Sequence, residues 1–362
     1  MRSKRTEAAI RQVDGATEQI KARAEQPVAG AAQPVAGAAW ENPLIPNARL
    51  RQIYRSMLRA RMLARALPTA KRGRAGAART RAGGAQATGT FGLEAALVST
   101  AVDLGPGDLV GDVLEGGVVE LLRGAALRDV LRSGEAANPR RSGTAVRTAA
   151  RAGGACGAAM RLYSAPGGAE RIWVALGAAA ALKAQAAQAG VEAKAAAKVE
   201  AEPGAEMMED KPARQAGAAM VYVLPGELTT AQWRRALRFA VEQELPVVFV
   251  VLPAERREGA RAMRAGGLSA LAQGCRIPAI AVDADDAVAI YRVAQESIGH
   301  ARIGGGAALI ECVPFVLHGV AGRGKTREDA IAGLERYMAQ RGVATKAWME
   351  REAKAFAMRL AR

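Results

Sequence analysis

Val221–Glu255 reads VYVLPGELTTAQWRRALRFAVEQELPVVFVVLPAE. Two continuous apolar runs, Ala218–Leu224 and Val247–Leu252, flank a segment with helical spacing, Thr229–Glu244. Central strands of a parallel sheet, covered on both faces, have that unbroken apolar character. The three pieces therefore predict a strand, a crossover helix and a parallel strand, joined with the usual right hand.

The same alternation continues in both directions. A short strand is expected at Ala279–Val282, a helix at Asp286–Ala301 and a further strand at Ala308–Val313. Thr326–Arg341 and Thr345–Leu360 read as closing helices. Upstream, Arg49–Leu67 carries Ile53, Met57, Leu58 and Met62 on one stripe and arginines opposite, the pattern of an amphipathic helix. Leu93–Val102 is a second apolar helix, followed by a Pro106-Gly107 turn and a short run, Asp108–Val113. Val118–Leu122 and Ala126–Leu131 read as helices, and Ile172–Ala186 as a buried, Ala-rich one. Strands alternating with helices predict an α/β fold, an open, mostly parallel sheet flanked by helices.

The ends of the chain and one internal segment have a different composition. QPVAGAA occurs twice in tandem at 26–39, after a polar, basic start. Such repeats bury no core, so residues 1–45 are expected to form a flexible arm, and 46–362 a single domain. A low-complexity Ala/Glu/Lys segment at about 188–217, with Pro203 and Pro212, is expected to be a solvated, partly helical insertion. Lys71–Gly89 and Ala137–Gly157 read as Gly- and Arg-rich loops.

The 362 residues carry a net charge of +16, and aromatic residues make up 4%. A basic chain invites a polyanion-binding reading through its arm and first helix. Scarce base-stacking aromatics argue against nucleic acid. Cys156, Cys275 and Cys312 are far apart, with no metal spacing and no disulfide framework, which fits a cytoplasmic, reducing setting. No apolar run reaches the length of a membrane span. GxSxG, Walker A, HExxH and CxxC motifs are missing. Gly304–Gly306 follows a helix and reads as a chain reversal, and His300 as a partner of that helix's C-terminal dipole.

Five blocks in order resemble the alpha subunit of thiamine-diphosphate-dependent 2-oxo acid dehydrogenases, of the pyruvate or branched-chain type. They are FGLEAALVSTAVDLGPGDLV, ALRFAVEQELPVVFV, VDADDAVAIYRVAQESIGHARIGGG, AALIECVPF and the C-terminal helix pair. The resemblance covers roughly residues 45–362 and implies a thiamine-diphosphate-binding fold. It also implies a beta-type partner, or self-association, that completes a site between subunits. In that family a GDG motif and an Asn about 26 residues later hold the magnesium diphosphate. Laid on this chain, GDG falls on Leu224-Pro225-Gly226 and the Asn on Pro253. Magnesium needs oxygen ligands, and proline has neither a side-chain oxygen nor an N–H. The family's Tyr-Arg pair falls on Leu114-Glu115, and Glu115 would repel a diphosphate. Gly226 and His318 are the positions left that could contact the cofactor, with no catalytic or metal-binding residue assigned.

The favoured reading is an alpha-type subunit without its own half-site, structural or regulatory in role, and with no cofactor. An active thiamine-diphosphate and magnesium-dependent decarboxylating subunit is the first alternative. A polyanion-binding protein is the second.

Overall fold

In the computed structural model, residues 44–66, 92–111, 118–122, 127, 130, 167–200, 217–224, 226–253, 267–314 and 329–360 are described. All belong to one compact unit, Glu41–Arg362. The arm expected over residues 1–45 lies outside them, apart from Leu44 and Ile45. Ile45, placed at the end of that arm on composition, is fully buried in the core.

Continuous apolar runs do become the centre of a parallel sheet. Strands β1 (Leu109–Gly111), β2 (Ala219–Val223), β3 (Val247–Val251), β4 (Ala279–Asp283) and β5 (Ala308–Val313) pair in the order β1-β2-β3-β5-β4. Every pairing is parallel. Every residue of β2, β3 and β5 is buried. Strand β4 lies at the sheet's edge, where Ile280 is 48% exposed. An edge strand has a partner on one side only, which is why its pattern is less uniformly apolar.

Side chains alternate across the sheet and feed two cores. Met220, Tyr222, Val248, Val250, Ile310 and Cys312 pack with helices α1 (Asn47–Ala66), α2 (Glu94–Ala101), α7 (Ala287–Arg302), α8 (Ala330–Gln340) and α9 (Lys346–Leu360). Ala219, Val221, Val223, Val247, Phe249 and Val251 pack with α4 (Gly168–Glu200), α5 (Thr230–Glu242) and α6 (Gly267–Gly274). A short helix, α3 (Val118–Leu122), adds Val118 and Val119 to the first core.

Local sequence explains several boundaries. Thr229 and Gln232 form a reciprocal capping box at the start of α5. Asp286 accepts from the Val288 and Ala289 N–H groups at the start of α7. Asp108, at the Pro-Gly turn before β1, accepts from the Gly105 N–H at 2.5 Å and the Ala218 N–H at 2.8 Å. It also pairs with Arg302, so one buried carboxylate joins the starts of β1 and β2 to the end of α7.

Two expectations need correction. Helix α4 does not stop near Ala186 but runs to Glu200, through half of the segment expected as an insertion. Ala, Glu and Lys are strong helix formers, and their propensity extends the helix past its last buried residue, Leu182. Residues 201–216 lie outside the described residues. Helix α6 was missed because its GLSALAQG sequence is short and begins and ends with glycine. Its N-terminus is held by Glu311 of β5, which is 4% exposed and accepts from the Ser269 N–H and hydroxyl, both at 2.7 Å.

A buried ion cluster ties the first core together. Arg61 of α1 donates from Nε to Glu94 at 2.9 Å and from both terminal nitrogens to Asp329, at 2.6 and 2.5 Å. Glu94 is fully buried. Its carboxylate also accepts from the Gly92 N–H. The hydrogen bond from Arg61 holds the Asp329 carboxyl below the usual range, against the opposing effect of burial.

Arg61→Ala leaves the Glu94 charge buried without its cation. It should lower unfolding stability in urea by about 3–5 kcal/mol, with Glu94→Gln costing less. A loss below about 1 kcal/mol would show that the cluster is effectively solvated. Because the folded pKa of Asp329 is depressed, its contribution is complete above the unfolded value of about 4 and falls away as pH drops through the folded one. Melting curves of Asp329→Asn should therefore be less sensitive to acid below about pH 4 than those of the natural chain.

Candidate functional site

The carboxyl ends of the strands are where open α/β sheets place ligands. Strands β2 and β3 run in register from Ala219↔Val247 to Val223↔Val251. The Leu252 N–H continues the ladder by donating to the Val223 carbonyl at 2.9 Å. Leu224 and Leu252 thus leave the sheet side by side. The sequence positions singled out as candidates follow immediately: Gly226 after β2 and Pro253 after β3.

Pro253 is buried and brings no side-chain oxygen to this edge. Gly226 is exposed and has φ +83°, in the left-handed region that favours glycine. The Glu227 N–H donates to the Leu224 carbonyl at 3.2 Å. That bond across Leu-Pro-Gly-Glu is a β-turn with glycine at its third position, as a type II turn requires. Gly226 is therefore explained by the turn itself. Pro225, Leu114, Glu115 and His318 lie outside the described residues.

Glu227 is the residue that sequence reading passed over. Its Oε2 accepts from the Leu224 N–H at 2.8 Å and pairs with Arg171, which is only 5% exposed. Arg171 lies in the first turn of α4, beside Gly168. A Cβ on Gly168 would lie 2.6 Å from the Glu227 Cβ and 2.9 Å from its Oε2, so a residue without a side chain is needed there. The turn amide, the buried guanidinium and the opening of α4 thus converge on one internal carboxylate. These are the donors that helix termini and turns ordinarily offer to an anion. The only clue in the sequence was the acidic residue directly after Pro-Gly. Its partner, Arg171, is 56 residues away and visible only in three dimensions.

The described residues of this edge offer a magnesium diphosphate no free side-chain ligand. Pro253 supplies no side-chain oxygen, Gly226 has no side chain, and the Glu227 carboxylate is engaged by Arg171. Among the described residues, no group of three or more His, Cys, Asp and Glu side chains could hold a metal ion.

Other candidate groups are structural. Cys312 is wholly buried, and burial together with Glu311 pushes its thiol up to about 12. It is no nucleophile at neutral pH. The His300 ring packs on Gly305, where any Cβ would come within 2.3 Å of it. Gly304 and Gly306 have φ of +86° and +90° and reverse the chain after α7. The imidazole thus sits in the last turn of α7 and packs into that reversal.

The sequence profile described as dehydrogenase E1 component matches residues 86–320, well over half of the chain. This chain belongs to that family. The match contains the β2–turn–α5–β3 unit and agrees with the ordered blocks of the sequence. The alpha subunit of acetoin:2,6-dichlorophenolindophenol oxidoreductase from Bacillus subtilis is 32% identical over 110 residues, 28% of this chain and 33% of that one. The chain therefore spans about a third of that relative's length. Among solved structures, a transketolase from Pichia stipitis aligns over 86% of this chain and 44% of its own, with 12% identity and a TM-score of 0.45.

Glu227→Ala strands a buried guanidinium and should cost about 3 kcal/mol or more in denaturant unfolding. The double variant Arg171→Leu/Glu227→Leu should recover most of that loss. Equal instability of the single and double variants would mean that the carboxylate matters for shape rather than charge.

Proposed function

We propose that this chain is an alpha-type E1 subunit that has lost its own magnesium-diphosphate half-site and serves a structural or regulatory role. The carrying observation is the Glu227 carboxylate. It occupies the turn amide and the Arg171 guanidinium at the edge where an incoming anion would need them. A diphosphate would have to displace a buried ion pair and would meet a carboxylate of its own sign. Proline at positions 225 and 253 removes the side-chain oxygens that the family pattern places there. These features support each other, because losing metal ligands and filling the anion site both remove the same cofactor contact.

The subunit role is supported by a surface that the fold leaves uncovered. Trp173 of α4 and Phe239 of α5 are 39% and 37% exposed and meet edge to face at 5.5 Å. Arg235 lies over the Trp173 ring at 5.5 Å. Exposed aromatic residues flanked by arginine are typical anchors of protein interfaces. Along the same helix, Gly177, Ala180, Ala181 and Ala184 are exposed and small, which permits close approach of another helix. A beta-type chain is the partner this reading favours, in the cytoplasm, with residues 1–45 as an arm appended to a single 46–362 domain. No helix among the described residues is long and apolar enough to cross a membrane.

Calorimetric titration of the full chain with thiamine diphosphate and magnesium should show no saturable heat. Micromolar, magnesium-dependent binding that survives removal of any partner would refute the loss of the half-site. Co-expression with a beta-type chain of the family should give a complex on gel filtration. Trp173→Ser/Phe239→Ser should break it by at least tenfold in affinity, about 1.4 kcal/mol.

A further inference from the structure

A second candidate site lies between α1 and α3. A cavity of about 200 Å³ is bounded by one face of α1 and by α3. Gln52, Arg55, Ser56 and Arg59 line it on the α1 side, at the spacing that stacks side chains on one helical face. Val118, Leu121 and Leu122 supply an apolar wall on the α3 side.

The polar lining is rich in donors. Arg55 pairs with Glu352 through a terminal nitrogen, and its Nε is buried with no hydrogen-bond partner among the described residues. The Arg59 guanidinium lies over the Phe356 ring at 5.7 Å and forms no ion pair with a described carboxylate. Gln52 accepts from Arg49 through its carbonyl oxygen, which leaves its amide nitrogen to face outward. The Ser56 hydroxyl makes no hydrogen bond to a described residue. Arg359, Glu352 and Arg55 all act on the Arg59 charge. Burial, and then Arg359, lower the pKa of Arg59; Glu352 partly offsets them, and Arg55 adds to them. An anion entering the cavity would relieve the repulsion among these guanidinium groups.

We propose that this cavity binds a small organic carboxylate. Its carboxylate group meets the Arg59 guanidinium and the Ser56 hydroxyl, beside Arg55, and its short aliphatic end rests on Val118, Leu121 and Leu122. Guanidinium groups suit the two oxygens of a carboxylate, and the apolar wall selects a ligand with a hydrocarbon part over a bare inorganic anion. None of its lining residues is among the candidate cofactor contacts at positions 114, 115, 225, 226, 253 and 318.

The full chain is titrated calorimetrically with acetate, butyrate, hexanoate and inorganic phosphate at matched ionic strength. Butyrate and hexanoate should bind more tightly than acetate or phosphate. Arg59→Gln should weaken both by about tenfold, and Leu121→Gln should weaken hexanoate while leaving acetate unchanged. Arg59 has no ion pair with a described residue to lose, and Ser56→Ala provides a milder variant should Arg59→Gln fold poorly. It too should weaken every carboxylate. The proposal fails if binding does not rise with chain length, if phosphate matches hexanoate, or if affinity is the same in Arg59→Gln and Ser56→Ala as in the natural chain.

Discussion

Parallel pairing of β2 with β3, in register from Ala219↔Val247 to Val223↔Val251, governs what this protein can hold. The pairing brings two sequence positions 27 or more residues apart to the same edge of the sheet. It does so because both strands are buried on both faces, so a slip by one residue would turn each strand's side chains toward the wrong core. Once the register is set, Leu224 and Leu252 must emerge together, and the residues after them decide the chemistry. Here those residues are a turn glycine, a buried proline and a glutamate that folds back onto the protein.

The Glu227–Arg171 pair shows how charge settles the loop after β2. A buried arginine at a helix opening needs a counter-charge. Here a carboxylate within the chain supplies it, and Gly168 leaves the room. The same carboxylate accepts from the Leu224 N–H, so one side chain ties the loop after β2 to the opening of α4.

Charge is distributed with comparable economy elsewhere. Arg61, Arg171 and Arg302 are each matched to carboxylates that are fully or largely buried. Arg59, Arg234, Arg235 and Arg238 carry no described ion pair, and they lie beside the α1–α3 cavity or on the outer face of α5.

Local composition specified most of the elements. Continuous apolar runs identified β2 and β3, the alternation of strands with helices placed β4, α7 and β5, and Pro106-Gly107 marked the turn before β1. Family blocks in order supplied the fold, and the missing oxygens at 225 and 253 were legible residue by residue. Helix α6 and the true length of α4 were not legible, because one is too short for a periodic signal and the other ends in residues that favour helix without needing burial. The Glu227–Arg171 pair and the α1–α3 cavity exist only in the tertiary structure. Each depends on distant segments of the chain being brought together, and distance along the chain carries no record of that.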